Sequence, residues 1–160
     1  MKFIKLALIS VIVLFLLVTA LTSLLPAHIR ISRAINVSAP PERVLARLRN
    51  LRTWGEWNEY VKAMPHPVLL SDSLYSPELS VALQGVGPAS VETRWHQQRN
   101  GKTFPGGFNL ISSHSVTTVQ WYFDFYFRWY PWEKFSSIAY DKQIGPQMEQ
   151  SLENLKKLVE

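Results

Sequence analysis

The feature that most constrains this chain is the stretch VQWYFDFYFRWY at residues 119–130. Every second residue in it is apolar, and the residues between are charged, amide-bearing or phenolic. A period of two in residues that favour strands predicts one long β-strand with a single buried face. That face must be covered by another element, because exposed apolar patches of this size attract partners. Its side chains are Val119, Trp121, Phe123, Phe125, Phe127 and Trp129.

The cover is predicted to be an amphipathic helix at the C-terminus. Apolar residues recur there at spacings of three and four, which is the pattern of a helix with one buried stripe. Lys156 and Lys157 fall in its last turn, where cations complement the helix dipole. Pro131 is predicted to end the aromatic strand, a short helix follows over residues 132–139, and Gly145-Pro146 kinks or restarts the helix. The buried stripe is Ile144, Met148, Leu152, Leu155 and Val159.

The N-terminus carries an uncharged apolar run at residues 6–25. About 20 such residues span a bilayer as a helix. A signal peptide cut after Ala20 is the alternative, but the apolar run continues to Pro26 and favours an uncleaved anchor. We therefore expect a transmembrane anchor over residues 1–26 and one domain over residues 27–160.

The charges flanking the apolar run bear on its orientation. Lys2, Lys5 and the free N-terminal amine precede it and favour an N-terminus inside the cell, whereas Arg30, Arg33 and Arg43 follow it and act in the opposite direction. We expect a single-pass protein of the cell membrane with its domain outside the cytoplasm.

The remaining segments predict an α+β domain. Residues 29–37 alternate as a first strand, with Arg33 on its apolar face, and Pro40-Pro41 then begins a helix. Thr53 and Glu56 have capping-box spacing and predict a second short helix. Three strands are predicted, at residues 78–84, at residues 89–96 and after a hairpin turn at Asn100-Gly101. The third is interrupted at residues 105–107, as in a bulge, and continues through Phe108 and Leu110.

Six segments carry a resemblance to a known family: MKFIK at 1–5, LLP at 24–26, INVSAPPERV at 35–44, WGEWN at 54–58, IGPQM at 144–148 and SLENLKKLVE at 151–160. They resemble the START-related superfamily of polyketide cyclases and lipid-transfer proteins, also called the SRPBCC or helix-grip group. The resemblance is strongest to the membrane-anchored bacterial branch labelled polyketide cyclase/dehydrase, and the chain predicts fewer middle strands than that family has.

The resemblance implies a curved antiparallel sheet wrapped on the C-terminal helix, with a ligand cavity between them. The function implied is binding of a hydrophobic or lipid-like small molecule. The alternative is that the rings fill the space, since interiors pack densely; the protein would then be an interaction domain without a ligand. Trp54 and Trp57 are placed at the cavity mouth. The candidate cavity residues are Arg33, Trp54, Trp57, Trp95, Trp121, Phe123, Phe125, Phe127, Met148 and Leu152.

Arg33 is the sharpest polar candidate, because a buried guanidinium needs an anionic partner. It is expected either to bind a lipid or fatty-acid headgroup, or to reach water and pair with Glu42 or Glu92.

No catalytic group is predicted. The four histidines are dispersed without metal-ligand spacing, no phosphate-binding loop is present, and we expect neither metal nor cofactor. Asp124 lies on the polar face of the aromatic strand and is expected to pair with Arg128 or a neighbouring strand. A polyketide cyclase or dehydratase reaction is the enzymatic alternative, for which Tyr60 or His96 would have to face the cavity.

The chain is basic, with a formal charge of +5. No recognition motif accompanies this charge, so we expect no nucleic-acid partner. An arginine group close in sequence to the apolar run could face anionic lipid headgroups or simply be solvated. That group is Arg30, Arg43, Arg47, Arg49 and Arg52.

Overall fold

A computed structural model describes residues 2–24, 26–113, 115–128 and 130–160, with side chains except those of residues 2, 131, 132 and 134–139. The expectations for His114 and Trp129 lie outside this part of the chain. The helices are α1 (Lys2–Ser23), α2 (Pro41–Leu48), α3 (Trp54–Trp57), α4 (Glu59–Lys62) and α5 (Pro131–Val159), with a 3-10 turn at Leu51–Thr53. The strands are β1 (His28–Val37), β2 (Val68–Leu69), β3 (Ser73–Tyr75), β4 (Leu79–Val86), β5 (Ser90–Gln97), β6 (Thr103–Ser113) and β7 (Val116–Tyr126).

The architecture confirms the predicted α+β helix-grip class. In the described part of the chain the seven strands form one antiparallel sheet in the order β1-β7-β6-β5-β4-β3-β2. The predicted apolar side of β7 is buried, and so are Met148, Leu152, Leu155 and Val159 on α5. The alternation in β7 and the helical stripe in α5 therefore meet in one core.

The aromatic strand is shorter than predicted. It ends at Tyr126, opposite His28, because its partner β1 begins there. Phe127 continues the pairing with one further hydrogen bond from its amide to the carbonyl of Ala27, at 2.8 Å, and Arg128 is already exposed. The predicted end at Pro131 was wrong, since side-chain alternation persists beyond the last residue that has a strand to pair with.

The predicted interruption of the third middle strand was also wrong. β6 pairs with β5 through residues 105–107 without a shift, and Gly106 and Gly107 also pair with β7. Gly106 is required by packing, because a Cβ there would lie 2.5 Å from Cδ1 of Phe123. The register shift falls instead in β4, between Leu83 and Gly85. The middle of the chain also holds β2 and β3, which were too short to be predicted.

The two helix-boundary predictions differ from the structure. Thr53 does not cap α3; its hydroxyl donates to the carbonyls of Arg47 and Asn50, and Asn58 caps α4 instead. α5 is one helix rather than two, with Pro146 inside it. Proline has no amide hydrogen, so the carbonyl of Lys142 loses its usual partner without the helix ending.

α1 is long and apolar enough to cross a membrane over Phe3–Ser23, a property that signal sequences share. Its side chains are exposed from residue 3 to residue 17. Near its C-terminal end Thr22 is buried, and α1 contacts α5. The helix therefore projects from the domain and is attached to it at one end.

Candidate functional site

A cavity lies between the sheet and α5. Its volume is about 100 Å³, roughly that of three water molecules at about 30 Å³ each. Sites for drug-sized ligands measure about 300–1,000 Å³, so this one admits only a small group or the end of a longer molecule. Its wall is formed by Tyr60, Leu79, Trp95, Gln97, Lys102, Phe104, Phe123, Phe125, Tyr140 and Ile144.

Aromatic rings form most of the wall because three strands contribute side chains of the same parity. Trp95 on β5 is directly opposite Phe104 on β6, and their rings stack with centroids 6.4 Å apart. Phe123 and Phe125 come from β7, and Phe125 lies 4.8 Å from Phe104. The wall is therefore apolar at depth, where it stabilises apolar rather than charged groups.

The roof of the cavity comes from α5 and α4. Tyr140 and Ile144 are one helical turn apart on α5, and the ring of Tyr140 meets Phe125 edge-on at 5.0 Å. Tyr60 on α4 donates its hydroxyl hydrogen to the carbonyl of Ile144 at 2.8 Å. Burial raises the pKa of Tyr60, so its phenol stays protonated and acts as a donor rather than as a base.

The mouth is polar. Its exposed lining residues are Gln97 and Lys102. The backbone amide of Gln97 donates to the backbone carbonyl of Lys102 at 2.9 Å. Among the lining residues whose side chains the structure describes, Lys102 is the single charged one. An apolar pocket with one cation at its entrance suits a molecule with an apolar end and an anionic group.

Of the ten predicted cavity residues, some line the cavity in the structure and others lie elsewhere. Trp95, Phe123 and Phe125 line the cavity. The tryptophans at 54 and 57 are 0% exposed, so their predicted place at the mouth was wrong. They belong instead to a filled part of the core, which includes Trp121. Phe127 is buried against Tyr140, with ring centroids 5.3 Å apart, and Met148 and Leu152 are buried on α5 without lining the cavity.

Arg33 lies on the predicted face but does not line the cavity. It is directly opposite Trp121, and its guanidinium passes under α5 to Glu149 at 2.6 Å and Asp141 at 2.9 Å. The hydrogen bond to Glu149, followed by that to Asp141, raises the pKa of Arg33 above its ordinary value. The expected partners Glu42 and Glu92 were wrong, because the helix that supplies the carboxylates is over a hundred residues away in sequence.

Gly145 makes room for this contact. A Cβ at Gly145 would clash with the guanidinium of Arg33. Arg33 thus binds residues on either side of the glycine, Asp141 before it and Glu149 after it, and ties the roof helix to β1.

Asp124 pairs across the sheet, as one of its two predicted alternatives required. Arg30 on β1 donates to both of its carboxylate oxygens, at 2.8 and 2.7 Å, and His28 Nε2 lies 2.8 Å from one of them. The hydrogen bond from Arg30, supported by that from His28, holds the pKa of Asp124 below its ordinary value. The cluster lies on the face away from the cavity and is structural.

The other candidates for chemistry lie elsewhere. His96 bonds Thr103 through Nδ1 at 2.8 Å and does not line the cavity. Within the described ranges, no three His, Asp or Glu side chains are placed to hold a metal ion.

Seven lining residues were not among the candidates: Tyr60, Leu79, Gln97, Lys102, Phe104, Tyr140 and Ile144. Tyr60 had been named only for the enzymatic alternative, and Ile144 only as part of the buried stripe of the helix. Extending the helical stripe back by one turn from Ile144 would have found Tyr140. Leu79, Gln97, Lys102 and Phe104 required the strand register.

Comparison with known proteins supports the fold. No family model matches the sequence, and no curated protein does. Several solved structures do match. One is DynU16 from the dynemicin biosynthetic locus, at 17% identity and TM-score 0.57, over 80% of this chain and 46% of that one. CalU16 from Micromonospora echinospora matches at 11% identity and TM-score 0.57, over 82% of each chain. The Bacillus halodurans protein BH1534 matches at 15% identity and TM-score 0.59, over 84% of this chain and 100% of that one.

At these identities the likeness establishes the helix-grip fold alone. The chain spans less than half the length of DynU16, about four fifths of CalU16 and the whole of BH1534. It is thus an α+β helix-grip protein with an apolar N-terminal helix.

Proposed function

We propose that this protein is a single-pass membrane protein whose domain binds the apolar part of a small hydrophobic or lipid-like molecule beneath α5. The observation that carries this proposal is the ring-lined cavity with Lys102 at its mouth. Burial of apolar surface supplies the affinity, about 0.8 kcal/mol for each methylene group enclosed. The lysine sets which end of the ligand remains outside.

The size of the cavity limits the ligand. An engineered cavity of about 150 Å³ holds benzene, and this one is smaller, at about 100 Å³. The end of an acyl chain or a small branched group fits it, and a larger ligand must displace the roof residues Tyr140 and Ile144. We propose that the domain encloses part of its ligand and leaves the rest at the mouth.

The uncleaved anchor is part of the same proposal. The burial of Thr22 and the contact of α1 with α5 support a helix that remains with the domain after insertion. Lys2, Lys5 and the N-terminal amine, which precede the apolar run, are the charges that favour a domain outside the cytoplasm.

Native mass spectrometry of the detergent-extracted full chain tests both parts. The wild type should carry a small-molecule adduct on a polypeptide mass of 18.4 kDa, without loss of the N-terminal segment. Leu79→Trp fills the cavity and should lose the adduct. Leu70→Trp, an exposed position outside the cavity, is the matched control and should keep it.

A wild type without an adduct in several detergents would favour the interaction domain over the binding protein. An adduct that persists in Leu79→Trp would place the ligand elsewhere. A polypeptide that lacks its first 20 residues would show that the apolar segment is a signal peptide.

An enzymatic function has one observation in its favour, which is the place of Tyr60 in the cavity wall. Its raised pKa keeps the phenol protonated, which suits it to donate to a substrate carbonyl rather than to remove a proton. Its one hydroxyl hydrogen would have to leave the carbonyl of Ile144 to do so. Conversion of an added polyketide-like substrate that Tyr60→Phe abolishes would support the enzyme.

A further inference from the structure

The mouth of the cavity lies at the end of the sheet where the chain leaves α1. Leu79 pairs with Gln97, and Gln97 bonds Lys102, so these lining residues share one row across β4, β5 and β6. At the other side of the sheet, the backbone amide of Phe127 donates to the carbonyl of Ala27. Ala27 directly follows the anchor segment and is three residues before Arg30.

The two sides belong to the same row. Gly106 is opposite Phe123, so Phe104 is next to Phe125 two residues further on, as their 4.8 Å ring contact shows. Successive residues on one face of a strand are two positions apart. Two residues before Phe104 is Lys102 and two residues after Phe125 is Phe127, so Lys102 lies beside Phe127. The mouth and the exit of α1 therefore lie at one end of the domain, which we call the anchor-end rim: residues 27–28, 97–102 and 126–128.

The rim carries side chains suited to a membrane surface. Arg99, Lys102 and Arg128 are exposed cations, and Tyr126 is 69% exposed beside the chain's exit from α1. Tyrosine is enriched where hydrocarbon meets headgroups, and cations are attracted to anionic lipid. Two acids, Glu78 next to Leu79 and Glu133 in the first turn of α5, lie near the rim, so its charge is positive but moderate.

Of the arginines that follow α1 in sequence, Arg30 stays near the rim, where it pairs with Asp124. Those on and after α2 lie far from α1 in space. β1 runs ten residues away from the rim, or about 30 Å, before α2 begins. Arg43 bonds the carbonyl of Val159, and Arg47 pairs with Glu56 at 3.0 Å. The cations at the rim come instead from the β5–β6 hairpin and from the segment after β7.

We propose that the anchor-end rim rests on an anionic phospholipid surface, the one that α1 crosses, so that the cavity opens onto the leaflet. This inference rests on the proposed membrane anchoring. It deepens the proposed function by assigning the source of the ligand, which enters from the bilayer with its apolar end first. Lys102 faces the phosphate or carboxylate that stays at the surface.

Site-specific labels on the full chain test the orientation. The chain has no cysteine, so Gln98→Cys at the rim and Ala46→Cys on α2 each accept one nitrobenzoxadiazole label. Both positions are exposed. Each labelled protein is reconstituted into vesicles of phosphatidylcholine and phosphatidylglycerol with or without a lipid that carries a nitroxide quencher near its headgroup.

The rim label should lose at least half of its emission to the quencher lipid, and the α2 label should lose almost none. Equal quenching of both labels, quenching of the α2 label alone, or quenching of neither would each overturn the proposal. Flotation of the same vesicles reports anchoring separately. A protein that fails to float contradicts the proposed anchor, whereas one that floats without rim quenching contradicts only the orientation.

The charges are tested by Arg99→Gln, Lys102→Gln and Arg128→Gln, singly and together, on the Gln98→Cys background. Each cation near an anionic surface is worth about fivefold in the ratio of docked to undocked domain. Rim quenching should fall stepwise with each substitution, and for the wild type it should fall when phosphatidylglycerol is replaced by phosphatidylcholine. Quenching unchanged in the triple variant would exclude anionic lipid as the partner.

Discussion

The two halves of the space under the sheet are built from the same kinds of residue, yet one is solid and the other is hollow. Far from the anchor, Trp54, Trp57, Phe108 and Trp121 form a ring cluster with centroid separations between 5.1 and 6.2 Å. Near the anchor, Phe104, Phe123 and Phe125 line the cavity. Both groups are aromatic, so ring content by itself does not decide whether a pocket exists.

The difference lies in what covers each half. α3 inserts two indole rings into the distal half, and Trp54 Nε1 is fixed there by the carbonyl of Leu48 at 3.0 Å. Over the proximal half, the side chains that the structure describes are Tyr60, Tyr140 and Ile144. A short helix that brings two of the largest side chains thus turns a potential site into a core.

The largest effect that would test this comparison is expected in the solid half. Trp57→Ala should destabilise the domain by about 3–5 kcal/mol, because a fully buried indole leaves a large cavity behind. Phe104→Ala, in the wall of the existing cavity, should cost about 1–2 kcal/mol, since Phe104 is only partly buried. Urea unfolding in detergent, followed by circular dichroism, measures both, and equal losses would contradict the division.

Larger side chains should also destabilise the solid half more than the hollow half. Leu74→Phe, at a fully buried position, should cost about 1–3 kcal/mol by overpacking. The same substitution at Leu79 enters the cavity and should change stability by less than about 1 kcal/mol. The free energy of unfolding of the two variants is compared; a penalty at Leu79 as large as that at Leu74 would mean that the cavity is not free space.

The Asp124 cluster should make stability depend on pH. Asp124→Asn should cost about 1–2 kcal/mol near neutral pH, because it removes a charged acceptor of two bonds from Arg30. A carboxyl whose pKa is lowered on folding stabilises the fold above its unfolded pKa of about 3.9 and loses that contribution as pH falls through the folded pKa.

Unfolding measured from pH 6 downward should therefore show the wild type and Asp124→Asn beginning to converge below about pH 4. They should meet only below the lowered pKa of folded Asp124, where both side chains are uncharged. A gap that stays constant over this range would mean that the cost of the substitution comes from shape rather than charge.

The smallest effect is expected at the tie between the roof and β1. Arg33→Met should destabilise by about 1 kcal/mol or less, because Asp141 and Glu149 are exposed and solvent screens the pairs. Added salt should reduce the difference between wild type and variant. Hydrogen exchange of the α5 amides near Gly145 is the sharper measurement: it should quicken in Arg33→Met and stay unchanged in Arg94→Met, an exposed control on β5.

Local pattern predicted the elements that have long, regular periodicity. The alternation of β7 and the stripe of α5 specify a buried face each, and two buried faces in sequence must meet. The short strands β2 and β3 and the end of β7 were not predicted, because two or three residues carry no period and a strand ends where its partner ends.

The candidate site was predicted only in part for the same reason. Parity places Trp95, Phe123 and Phe125 on the inner face, which the structure confirms. Parity also places Trp121 on the inner face. It does not predict that Trp54 and Trp57 fill the space beside Trp121. Lys102 carries no sequence signal, since its place at the mouth depends on pairing between β5 and β6.

The sequence alone determined that this chain has an apolar N-terminal helix, an aromatic inner sheet face and a helix to cover it, because hydrophobic period is a property of neighbouring residues. Only the tertiary structure decided where the cavity lies, which carboxylates bind Arg33 and which cations share an end with α1. These three features depend on how the strands are paired, which is set by residues far apart in sequence. They also depend on the length of β1, which places α2 roughly 30 Å from the anchor.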